Sequence, residues 1–309
     1  MNVKIAETPA LKQFLQVASG LTSDKGDKRA KLIMHRILSD LFKTIEEFEV
    51  QPDEFWVAVN YLNELGQAGE AALLAPGLGF EHFLDLRMDA IDKAAGMQTG
   101  TPRTIEGPLY VAGAPLSRGE ARLDDGADNG EVLFMHGIVR GTNGKPVSGA
   151  IVDVWHANTK GMYSYFDKSQ SEYNLRRRIE TNPDGSYRFR TILPGDYGCP
   201  PDGPTQGLLD VLGRHGHRPA HIHFFVSAPG YRHLTTQINI AGDKYLHDDF
   251  AFATRDDLIP DVRRHADAVD IRAKGLNAPY AEIKFDFSLT PASGTVQDQV
   301  VQRKRALAT

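Results

Sequence analysis

Arg214-His215-Gly216-His217-Arg218-Pro219-Ala220-His221-Ile222-His223-Phe224-Phe225-Val226 is the run from which the rest of the chain can be read. It holds four of the eleven histidines. From His221 onward it reads as a β-strand, rich in β-branched and aromatic side chains. Successive side chains of a strand point to opposite faces. His221 and His223 therefore share one face, and Ile222, Phe224 and Val226 share the other. Such a strand belongs to a sheet that packs a core on one side and lines a cavity on the other. Two imidazoles in a cavity make half of a metal site. A single buried histidine is ordinarily a hydrogen-bonded core residue; a same-face pair beside an arginine is less easily explained that way.

The other donors are the informative part. A zinc site of the histidine–carboxylate kind, or an iron site of two histidines and one carboxylate, needs an acid. No Asp or Glu occurs from Val211 to Gly242. The oxygen donors near the run are tyrosines and hydroxyls. A free phenol has a pKa of about 10, so a phenolate ligand at neutral pH asks for a strongly Lewis-acidic ion. Fe(III) is the natural candidate.

Outward from this strand the chain keeps a strand-and-turn texture. Residues 234–240 follow across Pro229-Gly230. Upstream, residues 132–139 read as a strand ending near Asn143-Gly144, a hairpin signal. Residues 150–156 alternate Ile151, Asp153 and Trp155 against Val152, Val154 and His156. Residues 176–181 lead into the turn Pro183-Asp184-Gly185, and 187–192 alternate again. Residues 281–289 close the domain. Seven or so short strands with turn signals predict a mostly antiparallel β-sandwich.

Before residue 97 the pattern is helical. Residues 29–50 carry apolar side chains at three- and four-residue spacings. Pro52 opens a second helix through Phe55, Trp56, Val59 and Leu62 to about Gly66. A short piece over 68–74 is closed by Pro76 and Gly77, and a longer one over 80–95 by Gly96. Residues 97–108, rich in Pro, Gly and Thr, read as a linker. The expected class is α+β: a helical N-terminal dimerisation domain over 1–100 and a β-sandwich catalytic domain over 101–309. The tail from Gln297 reads as polar and loose.

Composition narrows the function. The 309 residues carry a formal net charge of −5 and 41% hydrophobic side chains, which argues against a nucleic-acid binder with a basic face. The one cysteine, Cys199, allows no intrachain disulfide and fits a reducing cytoplasm. No apolar leader opens the sequence, and no apolar run approaches the ~20 residues of a membrane span.

Several stretches together resemble the intradiol ring-cleavage dioxygenases, most closely the branch that takes catechol. They are Thr101-Pro102-Arg103-Thr104-Ile105-Glu106-Gly107-Pro108-Leu109-Tyr110, Asp153-Val154-Trp155-His156-Ala157-Asn158, Gly161-Met162-Tyr163-Ser164, Tyr197-Gly198-Cys199-Pro200-Pro201 and Arg218-Pro219-Ala220-His221-Ile222-His223. The resemblance covers nearly the whole chain. It implies one non-haem Fe(III) per subunit on Tyr163, Tyr197, His221 and His223. It implies that O₂ opens catechol between the two hydroxylated carbons to give cis,cis-muconate. Tyr197 is the ligand expected to leave and take a substrate proton. Arg218 is expected over the ring and Gln237 beside the site. The implied pocket wall is Leu73, Pro76, Ile105, Pro108, Leu109, Phe250 and Ala251. A homodimer through the N-terminal helices, with a phospholipid in an apolar tunnel, is also implied. His215 and His217 are expected to be structural or exposed. Two other readings stand beside this one: a zinc hydrolase built on His221 and His223, and a β-sandwich binding module without a metal.

Overall fold

The structure is a computed structural model and describes residues 4–294 together with Ala306 and Leu307. The polar tail expected from Gln297 lies outside the described residues, apart from those two. By compactness the chain divides into Met1–Gln67 and Ala68–Thr309, whereas the change of sequence texture lies near residue 100.

The first unit holds helices α1 (Pro9–Ala18), α2 (Lys28–Glu47) and α3 (Pro52–Ala68). Each start has a local cause. Thr8 caps α1 by accepting from the Leu11 N–H, with Pro9 at the first turn. Asp27 caps α2 by accepting from the Ala30 N–H at 2.6 Å. Pro52 opens α3 where its missing N–H costs nothing. Along α2 the side chains of Ile33, Ile37, Leu41 and Ile45, four residues apart, form one exposed apolar stripe.

The second unit begins with α4 (Ala71–Gly77) and α5 (Phe80–Ala94). Pro76 lies inside the last turn of α4, not beyond it as the sequence suggested. The helix ends one residue later, so only one helical hydrogen bond is forgone. Acidic residues dock α5. Asp92, almost fully buried, binds Arg103 at 2.5 Å and Arg232 at 2.8 Å. Asp89 binds Arg103 at 3.0 Å and Arg255 at 2.8 Å.

The strands are β1 (Val111–Ala112), β2 (Leu116–Arg118), β3 (Glu120–Arg122), β4 (Val132–Gly141), β5 (Ile151–His156), β6 (Arg176–Glu180), β7 (Ser186–Ile192), β8 (Tyr197–Gly198), β9 (His217–Arg218), β10 (His221–Ser227), β11 (Leu234–Asn239), β12 (Arg263–His265), β13 (Tyr280–Lys284), β14 (Phe287–Leu289) and β15 (Ala306–Leu307). Helices α6 (Pro204–Val211) and α7 (Ala268–Ala273) interrupt them. One sheet has the order β11-β10-β5-β6-β2 and the other β12-β13-β4-β7-β3, with β14 paired to β4. The long neighbours pair antiparallel; among the described residues parallel pairing is confined to β13 on β4 and to pieces of three residues or fewer.

The two sheets close on one apolar core. Val152 and Val154 of β5 and Ile222, Phe224 and Val226 of β10 meet Leu133 and Met135 of β4 and Phe189 of β7. Phe224 lies 5.0 Å from the Phe287 ring and 6.4 Å from that of Phe189, centroid to centroid. His156 also faces this core and bridges the sheets, its Nε2 lying 2.7 Å from Thr191 Oγ1. The alternation read from sequence therefore holds in β5 and β10. It leaves Trp155, His221, His223 and Phe225 on the opposite face, where β8 and β9 pair as a short separate ribbon.

Candidate metal centre

Register sets the histidines. His223 stands opposite Trp155 of β5 and opposite Gln237 of β11. The Trp155 indole stacks on its imidazole at 4.9 Å with 6° between the planes, which fixes the ring. His223 Nδ1 has no hydrogen-bond partner, so stacking takes over the orienting role that a hydrogen bond to the far nitrogen usually plays at metal-binding imidazoles. His221 is oriented differently. Its Nδ1 lies 2.6 Å from the Pro219 carbonyl. A carbonyl only accepts, so Nδ1 carries the proton and Nε2 the lone pair. That Nε2 is 3.0 Å from His223 Nε2.

Two loops bring the tyrosines in. Tyr163 follows β5 and sits at the start of a single 3₁₀ turn over Ser164–Phe166. Tyr197 lies on β8, cross-strand from Arg218 of β9. The loops touch at Gly161, whose φ is +76°. A Cβ there would come 2.5 Å from Tyr197 Cβ, so only glycine permits the approach. The result is Tyr163 Oη 3.4 Å from Tyr197 Oη, and Tyr197 Oη 3.4 Å from His221 Nε2. The Tyr163 phenol and both imidazoles are buried.

The four atoms suit a cation. Neighbouring donors lie 3.0 to 3.4 Å apart, about the edge length that ligands near 2.1 Å from one ion leave between them. Burial, then the charge of Arg218, pushes His221 down to about 3. Burial and His221 hold His223 well below the usual imidazole range. Both rings are thereby held neutral, and each neutral imidazole has one nitrogen with a lone pair to offer a cation. Burial, and then Tyr197, hold the Tyr163 phenol well above its ordinary value. The charges of Arg218 and Arg176 work the other way, as a highly charged ion beside the oxygen would. Among the described residues no three His, Cys, Asp or Glu gather at ligand spacing; the oxygen atoms next to the two histidines are those of phenols. This favours a hard trivalent ion over zinc.

Beside the quartet, Arg218 Nη1 lies 3.0 Å from His221 Nε2, and its Nη2 donates to Gln237 Oε1 at 2.8 Å. Gln237 is wholly buried. Burial, the largest influence, works against the charge on Arg218, but Asp249 and the two tyrosines outweigh it and raise its pKa. The sequence reading missed Asp249. Its carboxylate accepts two hydrogen bonds from Arg218 and others from the Ala251 and Ala253 N–H groups. The reading also missed Arg176. This buried guanidinium donates to Ser164 Oγ and to the Leu109 carbonyl, and lies 5.7 Å from the centre of the Tyr163 ring. Burial pushes it down to about 10, which leaves it charged at neutral pH.

The expected wall residues fall into two groups. Leu73, Ile105, Phe250 and Ala251 pack in one apolar cluster with Cys199, Leu209 and Ala253. Leu109 packs with Trp155, Tyr163 and Tyr197 in another. Pro76 is buried in α4 beside Gly77, which faces the Phe250 ring. Pro108 follows Gly107, where an added Cβ would lie 4.0 Å from the His223 ring. His215 pairs with Asp248 and His217 stacks on Tyr245, neither reaching the quartet. Two other tyrosines are engaged elsewhere: Tyr187 OH donates to the Phe285 carbonyl and Tyr173 OH to that of Ala112. A separate cavity of about 810 Å³ runs along α5 and residues 99–106; it shares Ile105 with the wall but is not lined by any of the four donors.

Residues 105–291 match the family described as Dioxygenase, and residues 27–96 match the one described as Catechol dioxygenase N terminus. Catechol 1,2-dioxygenase of Acinetobacter baylyi is 57% identical over 99% of this chain and 99% of its own length. Catechol 1,2-dioxygenase of a Pseudomonas species is 53% identical over 95% of this chain and 97% of its own. A solved catechol 1,2-dioxygenase from Acinetobacter sp. ADP1, inhibited by bound mercury, superposes with a TM-score of 0.95 at 56% identity, covering 99% of this chain and all of that one.

Proposed function

The chain belongs to the intradiol ring-cleavage dioxygenases, and we propose that it adds both atoms of O₂ to catechol, opening the ring between the hydroxylated carbons to give cis,cis-muconate. What supports the site assignment is the run of close contacts from Tyr163 to Tyr197, to His221 and to His223. In this reading these four hold one Fe(III) per chain. When bound, that ion supplies the Lewis acidity that takes up a catecholate and the redox activity that readies its ring for O₂.

The protein's part is to bind, orient and move protons. Catechol must lose two protons to chelate. We assign Tyr197 Oη as the acceptor for one of them, so that it would become a neutral phenol, and a hydroxide from solvent as the acceptor for the other, which would leave as water. Burial separates Tyr197 from Tyr163: Tyr163 is 3% exposed and flanked by Arg176, whereas Tyr197 is only partly buried and sits on a two-residue strand. Arg218, held by Asp249 and Gln237, is a fixed cation where negative charge develops on the ring, and such preorganised charge is worth most where water is excluded. The walls Leu73, Pro76, Ile105, Pro108, Leu109, Phe250 and Ala251 exclude water and offer no polar side chain to a third ring hydroxyl. An unpaired buried hydroxyl costs about 1–3 kcal/mol, which favours plain or small alkyl catechols.

The functional division we assign is 1–100 for dimerisation and 101–309 for catalysis. The exposed apolar stripe on α2 supports a homodimer through the N-terminal helices, since contiguous apolar patches of this kind mark interaction sites; the same surface suits the acyl chains of a phospholipid. No helix among the described residues is long and apolar enough to cross a membrane. A cytoplasmic location fits the free, buried Cys199.

The test is a visible spectrum of the iron-loaded protein, taken anaerobically with and without catechol, followed by admission of O₂. Tyrosinate-to-iron charge transfer is expected to colour the resting protein, and catechol to shift the band to longer wavelength. Labelled O₂ is expected to place both atoms in the dicarboxylate. Iron bound without colour overturns the ligand assignment; absence of the dicarboxylate overturns the reaction.

A further inference from the structure

Arg214 bridges two walls of the pocket. It lies in the loop that follows α6, and its planar guanidinium makes three contacts. Nη1 donates to the Gly77 carbonyl at 2.7 Å and Nη2 to the Phe250 carbonyl at 3.0 Å. The face of the group rests on the Phe252 ring, 4.8 Å from its centre. Gly77 is the last residue of α4, the helix that carries Leu73 and Pro76. Phe250 and Ala251 form the adjoining wall, packed in the same cluster as Leu73.

Those walls are in close contact. A Cβ added at Gly77 would come 3.0 Å from Phe250 Cε2. The contact has little slack, and what holds its two sides together sets the room left in front of them. Phe252 has a positive φ of +55°, rare for a residue with a side chain. The ring this turns outward is the platform on which the guanidinium lies. At the inner end of the same segment, Asp249 accepts from the Ala251 and Ala253 N–H groups. The 250–252 turn is thus fixed to Arg218 on one side and strapped to α4 on the other.

We propose that Arg214 is a specificity-determining positioning residue: it fixes the separation of the α4 wall from the Phe250–Ala251 wall, and so the size of ring substituent the pocket accepts. This rests on the catechol-cleaving function proposed above. One rigid fork bonded to two carbonyls holds them at a set distance. A lysine, a point charge on a flexible stem, does not reproduce that. The guanidinium touches none of the four metal donors, so its influence falls on fit and not on the ion.

The test compares the iron-loaded wild type with Arg214→Gln and Arg214→Lys. The readouts are kcat and KM for catechol and 4-methylcatechol, together with the resting visible spectrum. In Arg214→Gln the walls part, and kcat/KM for 4-methylcatechol relative to catechol is expected to rise about tenfold, the scale of one methyl group in an apolar pocket. The change is expected in KM, with the spectrum unmoved, and Arg214→Lys is expected to fall between wild type and Arg214→Gln. If Arg214→Gln does not fold, Arg214→Lys decides by the same ratio. An unchanged ratio, or parallel losses on both substrates, overturns the proposal. A shifted resting spectrum also overturns it by placing Arg214 at the metal. A wild type that opens neither catechol refutes the proposed function instead.

Discussion

Arg218 and Asp249 meet as a fork on a carboxylate: Nε is 3.2 Å from Oδ1 and Nη2 is 3.1 Å from Oδ2, with both side chains almost wholly shut off from water. The arginine comes from β9 and the aspartate from the loop after β11. Arg218 therefore owes its aim to a residue that touches none of the donors. A pair like this is poor evidence of net stability, but breaking it leaves a buried charge uncompensated.

Asp249→Asn is accordingly expected to lower the unfolding free energy by about 3 kcal/mol and to reduce kcat while iron content holds. Urea denaturation and steady-state kinetics check the two parts. Burial works against the Asp249 carboxylate, but Arg218 outweighs it and holds its pKa below the ordinary value. A depressed carboxyl stabilises the fold above its unfolded pKa, so this contribution is expected to be full above about pH 4 and to fade on further acidification.

His156 makes a second pH prediction. Burial, the dominant cause, pushes it down to about 4, against about 6.5 for a free imidazole. Burial favours the neutral ring. Stability is therefore expected to fall as pH drops from about 6.5 to about 4, by about 3 kcal/mol in all. In His156→Gln, which keeps a donor and an acceptor near Thr191, that part of the slope is expected to vanish. Unfolding free energies of both proteins at several pH values, in the same iron state, decide it; parallel curves would refute the assignment.

Gly161→Ala tests the contact between the two tyrosine loops. The positive φ alone costs about 1–2 kcal/mol with a Cβ present, and the methyl group would also collide with Tyr197. The expected result is a lower melting temperature and loss or displacement of the charge-transfer band. A variant with wild-type spectrum and stability would mean that the loops are held elsewhere.

The two phenols are expected to differ on mutation. Tyr163→Phe removes the fully buried donor and is expected to cost most of the bound iron. Tyr197→Phe is expected to retain more iron, with a shifted band and slower uptake of catechol. Iron-to-protein ratios and anaerobic stopped-flow mixing with catechol separate them; equal iron loss from both removes the distinction drawn between fixed and departing ligand.

Much of this was legible in the chain because one strand carries two signals at once. The alternation of β10 fixes both the sandwich core and the histidine face, and β5 repeats it with Trp155 against Val154. Asp249 was not legible: its partner is 31 residues away, and no period or spacing links them. Arg176 begins a strand with two more arginines behind it, a pattern that reads as solvent-facing until burial is seen. Pro76 reads as a terminator, the usual meaning of proline after an apolar run, yet a helix of seven residues absorbs it in its last turn. The short strands that pair in parallel lie below the length at which alternation can be recognised at all.

The docking of α5 has a thermal consequence. Its chain of contacts, Arg232 to Asp92 to Arg103 to Asp89 to Arg255, is ionic where most helices rely on apolar packing. The cost of dehydrating charges falls as temperature rises, so this joint is built to hold comparatively better in heat than at room temperature. Dissolved electrolyte acts in the opposite sense, and unevenly. Asp89 is 36% exposed and Asp92 only 1%, so screening reaches the Asp89 contacts first. Raising the salt concentration loosens α5 from its middle, while the end at Asp92 stays moored.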